Sequence, residues 1–118
     1  MIFGGGRVLL VRHTYGPSEW ELPGGSVKAR EQPIETATRE MREELGVEIE
    51  GWLVLGSIEA VIQHRRDTLY CFQAEVDANG VKVDPGEIAA AAWFDPAELP
   101  SDLGRYVQPI FAKRQDLE

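Results

Sequence analysis

Apolar positions follow two rhythms along this chain, and the rhythm changes wherever glycine and proline cluster. Val8-Leu9-Leu10-Val11 is a short apolar run after the turn Gly4-Gly5-Gly6-Arg7, and it predicts a buried strand over 7–11. Residues 13–19 hold Gly16 and Pro17 together and read as a loop. Trp20-Glu21-Leu22 reads as a brief extended piece closed by Pro23-Gly24-Gly25. From Pro33 to Leu45 the apolar residues Ile34, Ala37, Met41 and Leu45 share one face at helical spacing. Pro33 suits the first turn of that helix, and Gly46 suits a left-handed cap past its end. Between Val47 and Val76 the apolar and β-branched residues predict two long strands. Breaks are expected at Gly51 and Gly56, and a turn at 64–67. Residues 77–87 read as a polar loop. Ile88–Phe94 fits a helix by its four alanines and a strand by Trp93-Phe94 and the flanking turns. A short helical turn follows at Asp95–Leu99. Residues 102–114 predict a last helix with Leu103, Tyr106, Val107, Ile110 and Phe111 on one face. No repeat or linker interrupts the 118 residues, so one domain over 1–118 is expected. Strands and helices interleave, which predicts an α/β class with α/β/α layering.

Charge narrows the function classes. The formal net charge is −8, from 12 basic and 20 acidic residues, with no basic stripe. That argues against DNA or an RNA backbone as main partner, because phosphate chains need a basic face. A small anionic substrate stays open if metal ions reverse the local sign. Cys71 is the sole cysteine, which excludes an intrachain disulfide and fits a reducing compartment. No apolar run approaches the roughly 20 residues that span a bilayer, and the first residues lack the basic start of a signal peptide. The expectation is a soluble, cytoplasmic chain without a membrane partner.

The helix at 33–45 carries the candidate chemistry. With about 100° per residue, Glu44 lies about 40° to one side of Glu40 and Glu43 about 60° to the other. Arg39 stands four residues before Glu43, in reach of an ion pair. Adjacent carboxylates raise each other's pKa. Such a face is either a solvated acidic surface or a site for hard divalent cations, which take carboxylate oxygens.

The loop before the helix bears on that choice. Gly25 is followed by five residues and Glu31, then by seven residues and Arg39-Glu40-Met41-Arg42-Glu43-Glu44-Leu45-Gly46-Val47. This stretch resembles the 23-residue signature of the Nudix hydrolase family at every constrained position. Seven of those positions demand one residue type, and chance agreement is about 1 in 10⁸ per start site. More loosely, residues 7–13, 18–25 and 91–100 resemble the family's first full strand, loop approach and late strand.

The resemblance implies a Nudix fold, an α/β/α sandwich around a mixed sheet. It implies hydrolysis of a diphosphate linkage in a nucleoside diphosphate joined to a further group, with Mg²⁺ or Mn²⁺. By the same resemblance Glu40, Glu43, Glu44 and the carbonyl of Gly25 would hold metal, and Arg39 would orient carboxylates. Glu31 would lie at the site's edge or pair with Arg39. The general base would be a helix glutamate or Glu87 in the later loop. A nucleoside triphosphate or similar small nucleotide is the expected substrate. Residues 46–63 hold no proline or tyrosine, which disfavours the dinucleoside polyphosphate, ADP-ribose and NADH subclasses. The net charge disfavours a role at mRNA 5′ ends. A catalytically silent, nucleotide-sensing module is the alternative, although its mark would be a degraded signature.

Arg30 stands where many relatives carry glycine. If the backbone there needs positive φ, arginine costs about 1 kcal/mol. Lys28 stands where relatives often carry an acid. Arg30, Tyr15 and Arg65 are the substrate-binding candidates: cations for phosphate, and an aromatic for a base. Each has an ordinary alternative as an exposed loop or turn residue, as do His64 and Arg66. Trp20, Trp93 and Phe94 read as core, Cys71 as buried, and His13 as a surface residue at a strand end. Only Met1-Ile2-Phe3 precedes the glycine turn, so a shortened first strand that still pairs is expected. An open edge there would suit a homodimer as well as a monomer.

Overall fold

The computed structural model describes residues 1–115. Five strands form one mixed sheet in the order β3-β4-β1-β2-β5. They are β1 (Ile2–Gly4), β2 (Arg7–His13), β3 (Leu53–Ile62), β4 (Arg65–Glu75) and β5 (Ile88–Phe94). The helices are α1 (Pro33–Leu45) and α2 (Val107–Gln115), with one 3₁₀ turn at Ala78–Gly80. β1 runs parallel to β4, and the other pairs are antiparallel. The shortened first strand therefore pairs on both sides.

Strand alternation divides the core into two layers. Ile2, Leu9 and Val11 meet Met41 and Leu45 of α1, together with Ile49, Ala74 and Ile88. Met1, Phe3, Val8, Leu55 and Cys71 meet Ile110 and Phe111 of α2. This is the expected α/β/α sandwich. Cys71 is buried, and that burial pushes its thiol pKa up. Trp93 and Phe94 are half-buried against the two layers. Trp20 is half-buried too, edge-on to Phe94 at 5.2 Å and beneath the Arg12 guanidinium. Among the described residues no helix is long and apolar enough to cross a membrane.

Several boundaries differ from expectation, and the open choice between helix and strand at Ile88–Phe94 is resolved. Ile88–Phe94 resolves to a strand because it pairs along its length with β2. The β3–β4 turn is Gln63-His64 rather than 64–67, and both residues take positive φ, 51° and 65°. Two such residues match the twist of the flanking strands, so Arg65 and Arg66 already lie in β4. β3 starts at Leu53, which leaves Gly51 outside it; Gly56, at φ 112°, sits at the register shift between Val54 and Gly56. The last helix starts at Val107, not 102. Residues 102–104 bond the loop instead: Trp20 N donates to Asp102 O and Gly104 N to Trp20 O. That start also puts Pro109 in the first turn, where its missing N–H costs nothing.

Candidate active site

The loop at 22–32 and helix α1 form one unit. Pro33 opens the helix, and the Glu35 carboxylate accepts from Gln32 N at 3.0 Å. Gly46 closes it at φ 66°, donating to Arg42 O, and Val47 N reaches Met41 O. The same end straps down the later loop, through Lys82 N to Leu45 O and Asp84 N to Glu44 O. The predicted cap and helix bounds are those observed.

Arg39 is the hub of the acidic face. Its guanidinium bonds both oxygens of Glu31, at 2.7 and 3.0 Å, Glu40 at 2.9 Å and Glu43 at 3.1 Å. Thr36 Oγ1 and Lys28 N also donate to Glu31. These bonds, Arg39 foremost, draw the Glu31 carboxyl down to about 2. Glu40 is shifted upward, because burial and the charges of Glu44 and Glu43 outweigh Arg39. Glu31 thus pairs with Arg39, one of its two expected placements.

Glu44 is held differently. Its side chain is 1% exposed. Oε1 accepts from Gly24 N at 3.1 Å, and Oε2 lies 3.0 Å from His13 Nε2. His13 Nδ1 in turn lies 3.2 Å from Glu21. The hydrogen bond to Glu44 leads the causes that raise the His13 pKa. The His13 side chain is only 8% exposed and turns into the site rather than onto the surface. The strand already carried the signal: position 13 alternates in phase with Leu9 and Val11, which face α1. Glu21 had no such signal. It is placed by reciprocal backbone bonds to Val11, both 2.8 Å.

Gly25 packs against Glu40 so closely that a Cβ there would lie 2.4 Å from Oε1. Tyr15 is exposed, with its ring 5.3 Å from His13. Burial and the nearby charges of Glu44, Glu87, Glu40 and Glu21 raise its pKa. Glu87 lies in the later loop beside this segment, where its carbonyl accepts from Thr14 N. An open cleft of about 870 Å³ adjoins the site. Its lining includes His13, Tyr15, Gly24 and Gly25, together with Thr68, Tyr70 and Phe72 of β4. Glu44 and Glu40 back this lining through Gly24 and Gly25, whereas Glu43 is half exposed and outside it. Arg30 and Arg65 are exposed and outside the lining. Arg30 does adopt positive φ, 68°, as its glycine-bearing counterparts suggested.

Among the described residues no group of three or more His, Cys, Asp or Glu side chains stands ready to hold a metal ion. Arg39 occupies Glu40 and Glu43 in this arrangement. The donor chemistry nonetheless fits a hard divalent cation. Three carboxylates share one helix face, and bare Gly25 backbone is pressed onto one of them.

A model of the NUDIX domain matches residues 1–114. An ADP-ribose pyrophosphatase of Mycobacterium tuberculosis is 49% identical over 49 residues, covering 41% of this chain and 24% of that protein. Nudix hydrolase 6 of Arabidopsis thaliana is 31% identical over 117 residues, covering 90% of this chain and 41% of that protein. The chain thus spans less than half the length of either relative. A solved structure described as a MutT protein from Methanosarcina mazei Go1 matches with a TM-score of 0.85 at 23% identity, covering 100% of this chain and 91% of that one. That likeness shows the same fold.

Proposed function

The chain belongs to the NUDIX family, and we propose that it hydrolyses a diphosphate linkage in a small nucleotide, a nucleoside triphosphate foremost. One observation carries the reading: buried Glu44, with Glu40 and Glu43 on the same helix face, lies directly behind the Gly24-Gly25 wall of an open cleft. Glu40, Glu43 and Glu44, with the Gly25 backbone, would hold Mg²⁺ or Mn²⁺. A cation held there would supply neutralisation of phosphate charge. The chain's own residues do the rest. Arg39, braced by Glu31, gathers the Glu40 and Glu43 carboxylates around one guanidinium. Tyr15 offers an exposed ring to a base at the cleft's edge. Glu87 is the carboxylate we assign to take the proton of the attacking water.

A second reading has one observation behind it. Arg39 and His13 already engage the carboxylates, as befits a module that binds nucleotide without cleaving it. Product analysis with Mg²⁺ separates the two. Wild type and Glu44→Gln meet canonical and oxidised nucleoside triphosphates, ADP-ribose, nucleotide sugars, diadenosine polyphosphates and 5′-triphosphorylated RNA. The expected result is pyrophosphate plus a nucleoside monophosphate from a triphosphate, absent in the variant. AMP plus a sugar phosphate would move the substrate to the ADP-ribose or nucleotide-sugar branch. Tight nucleotide binding with no turnover of anything would overturn the hydrolase reading.

A further inference from the structure

We propose that His13, backed by Glu21, is a positioning residue that fixes the Glu44 carboxylate for the divalent cation. It thereby sets metal affinity from a strand end outside the helix. This rests on the functional reading above.

The three side chains form a line: Glu21 Oε2 to His13 Nδ1 at 3.2 Å, then His13 Nε2 to Glu44 Oε2 at 3.0 Å. The far oxygen of Glu44 accepts from Gly24 N at 3.1 Å. Each Glu44 oxygen thus has its own partner, and rotating the carboxylate breaks both contacts. Exposure falls along the line, from 34% at Glu21 to 8% at His13 and 1% at Glu44. The base of the line is rigid. Glu21 and Val11 exchange backbone bonds two residues before His13 on the same strand. The Tyr15 ring packs at a tilt beside the imidazole, with centroids 5.3 Å apart. Glu40 and Glu43 lack such support. They share one guanidinium, and Glu43 is 50% exposed. Of Glu40, Glu43 and Glu44, only Glu44 is held by a described residue from outside α1 and its preceding loop. A partner behind a ligating carboxylate orients it and raises its affinity for metal.

The test is Mn²⁺ binding without nucleotide, followed by the electron paramagnetic resonance of free Mn²⁺. The wild type, His13→Ala, His13→Gln and Glu21→Gln would be compared, each checked for fold by circular dichroism. His13→Ala should bind about 10- to 100-fold more weakly. His13→Gln, which keeps a donor within reach of Glu44, should recover part of that loss. Saturating Mn²⁺ should restore most of the kcat of His13→Ala, which a merely structural role would not permit. Should His13→Ala fail to fold, Glu21→Gln carries the test, with a smaller loss expected. Wild-type Mn²⁺ affinity in folded His13→Ala, or in Glu21→Gln where the alanine variant does not fold, overturns the proposal. A wild type that binds Mn²⁺ but turns over no substrate overturns the hydrolase reading alone. A wild type that binds no Mn²⁺ overturns both.

Discussion

Gly25 and Glu44 answer different questions about the same site. A methyl group at position 25 would meet the Glu40 carboxylate 2.4 Å away, at the free end of a flexible side chain. The side chain can swing aside, so Gly25→Ala should change stability by no more than about 1 kcal/mol. The carboxylate it displaces is a proposed ligand. Mn²⁺ affinity and kcat should therefore fall while the melting temperature holds. A large drop in melting temperature with unchanged affinity would mean that Gly25 serves the fold. Glu44→Gln removes one charge from the cluster and keeps its shape. A metal contributes several kcal/mol of charge stabilisation, so turnover should fall more than about 100-fold. Circular dichroism should stay native, and wild-type turnover would sink the metal assignment. Arg30 tests a substrate role by its backbone. At φ 68° it carries strain that glycine lacks, so Arg30→Gly should stabilise by up to about 1 kcal/mol. If Arg30 grips phosphate, KM rises in the same variant. An unchanged KM confines the residue to the loop.

The element that matters most is α1 with its preceding loop, tied together by Glu31 and Arg39. The Glu31 carboxyl is drawn from its ordinary 4.5 to about 2 in the folded protein, chiefly by Arg39. A folded-state pKa below the unfolded one gives stability that is fully present above about 4.5. That stability is lost as pH falls from there towards 2. Acid unfolding followed by tryptophan fluorescence should therefore be steeper between these values in wild type than in Glu31→Gln. Equal slopes would deny the pair its role in holding the loop. This element was also the most legible in the sequence. Pro33, Gly46 and the four-fold apolar spacing are local signals, and local physics sets a helix's ends. The hairpin turn was misplaced because Gln63 and His64 take positive φ without asparagine or glycine to announce it. The start of α2 was misplaced because long-range bonds from Trp20 hold 102–104 out of the helix, although Pro109 hinted at the later start.

At the scale of the whole molecule, the site's carboxylates lie on α1 and are not members of the two apolar clusters. The two apolar clusters close around β1 and β2 without using Glu40, Glu43 or Glu44. The sequence showed these carboxylates by motif and His13 by strand alternation, but it hid Glu21, which is placed by backbone pairing with Val11. A site that the core does not need has a thermodynamic consequence. Metal binding should add to the stability of an already folded protein rather than create it. Treatment with a chelator should leave the far-ultraviolet circular dichroism and the cooperative melt intact. Adding Mn²⁺ at ten times its Kd should stabilise by about 1.4 kcal/mol, because only the native state gathers the ligands. For a domain of this size that is a rise of about 4–8 °C in melting temperature. The rise should vanish in Glu44→Gln and shrink in His13→Ala, which at the same Mn²⁺ concentration lies near or below its own Kd. A chelated protein that loses its cooperative melt would place the cation in the folding core instead, and the separation of site from scaffold would be wrong.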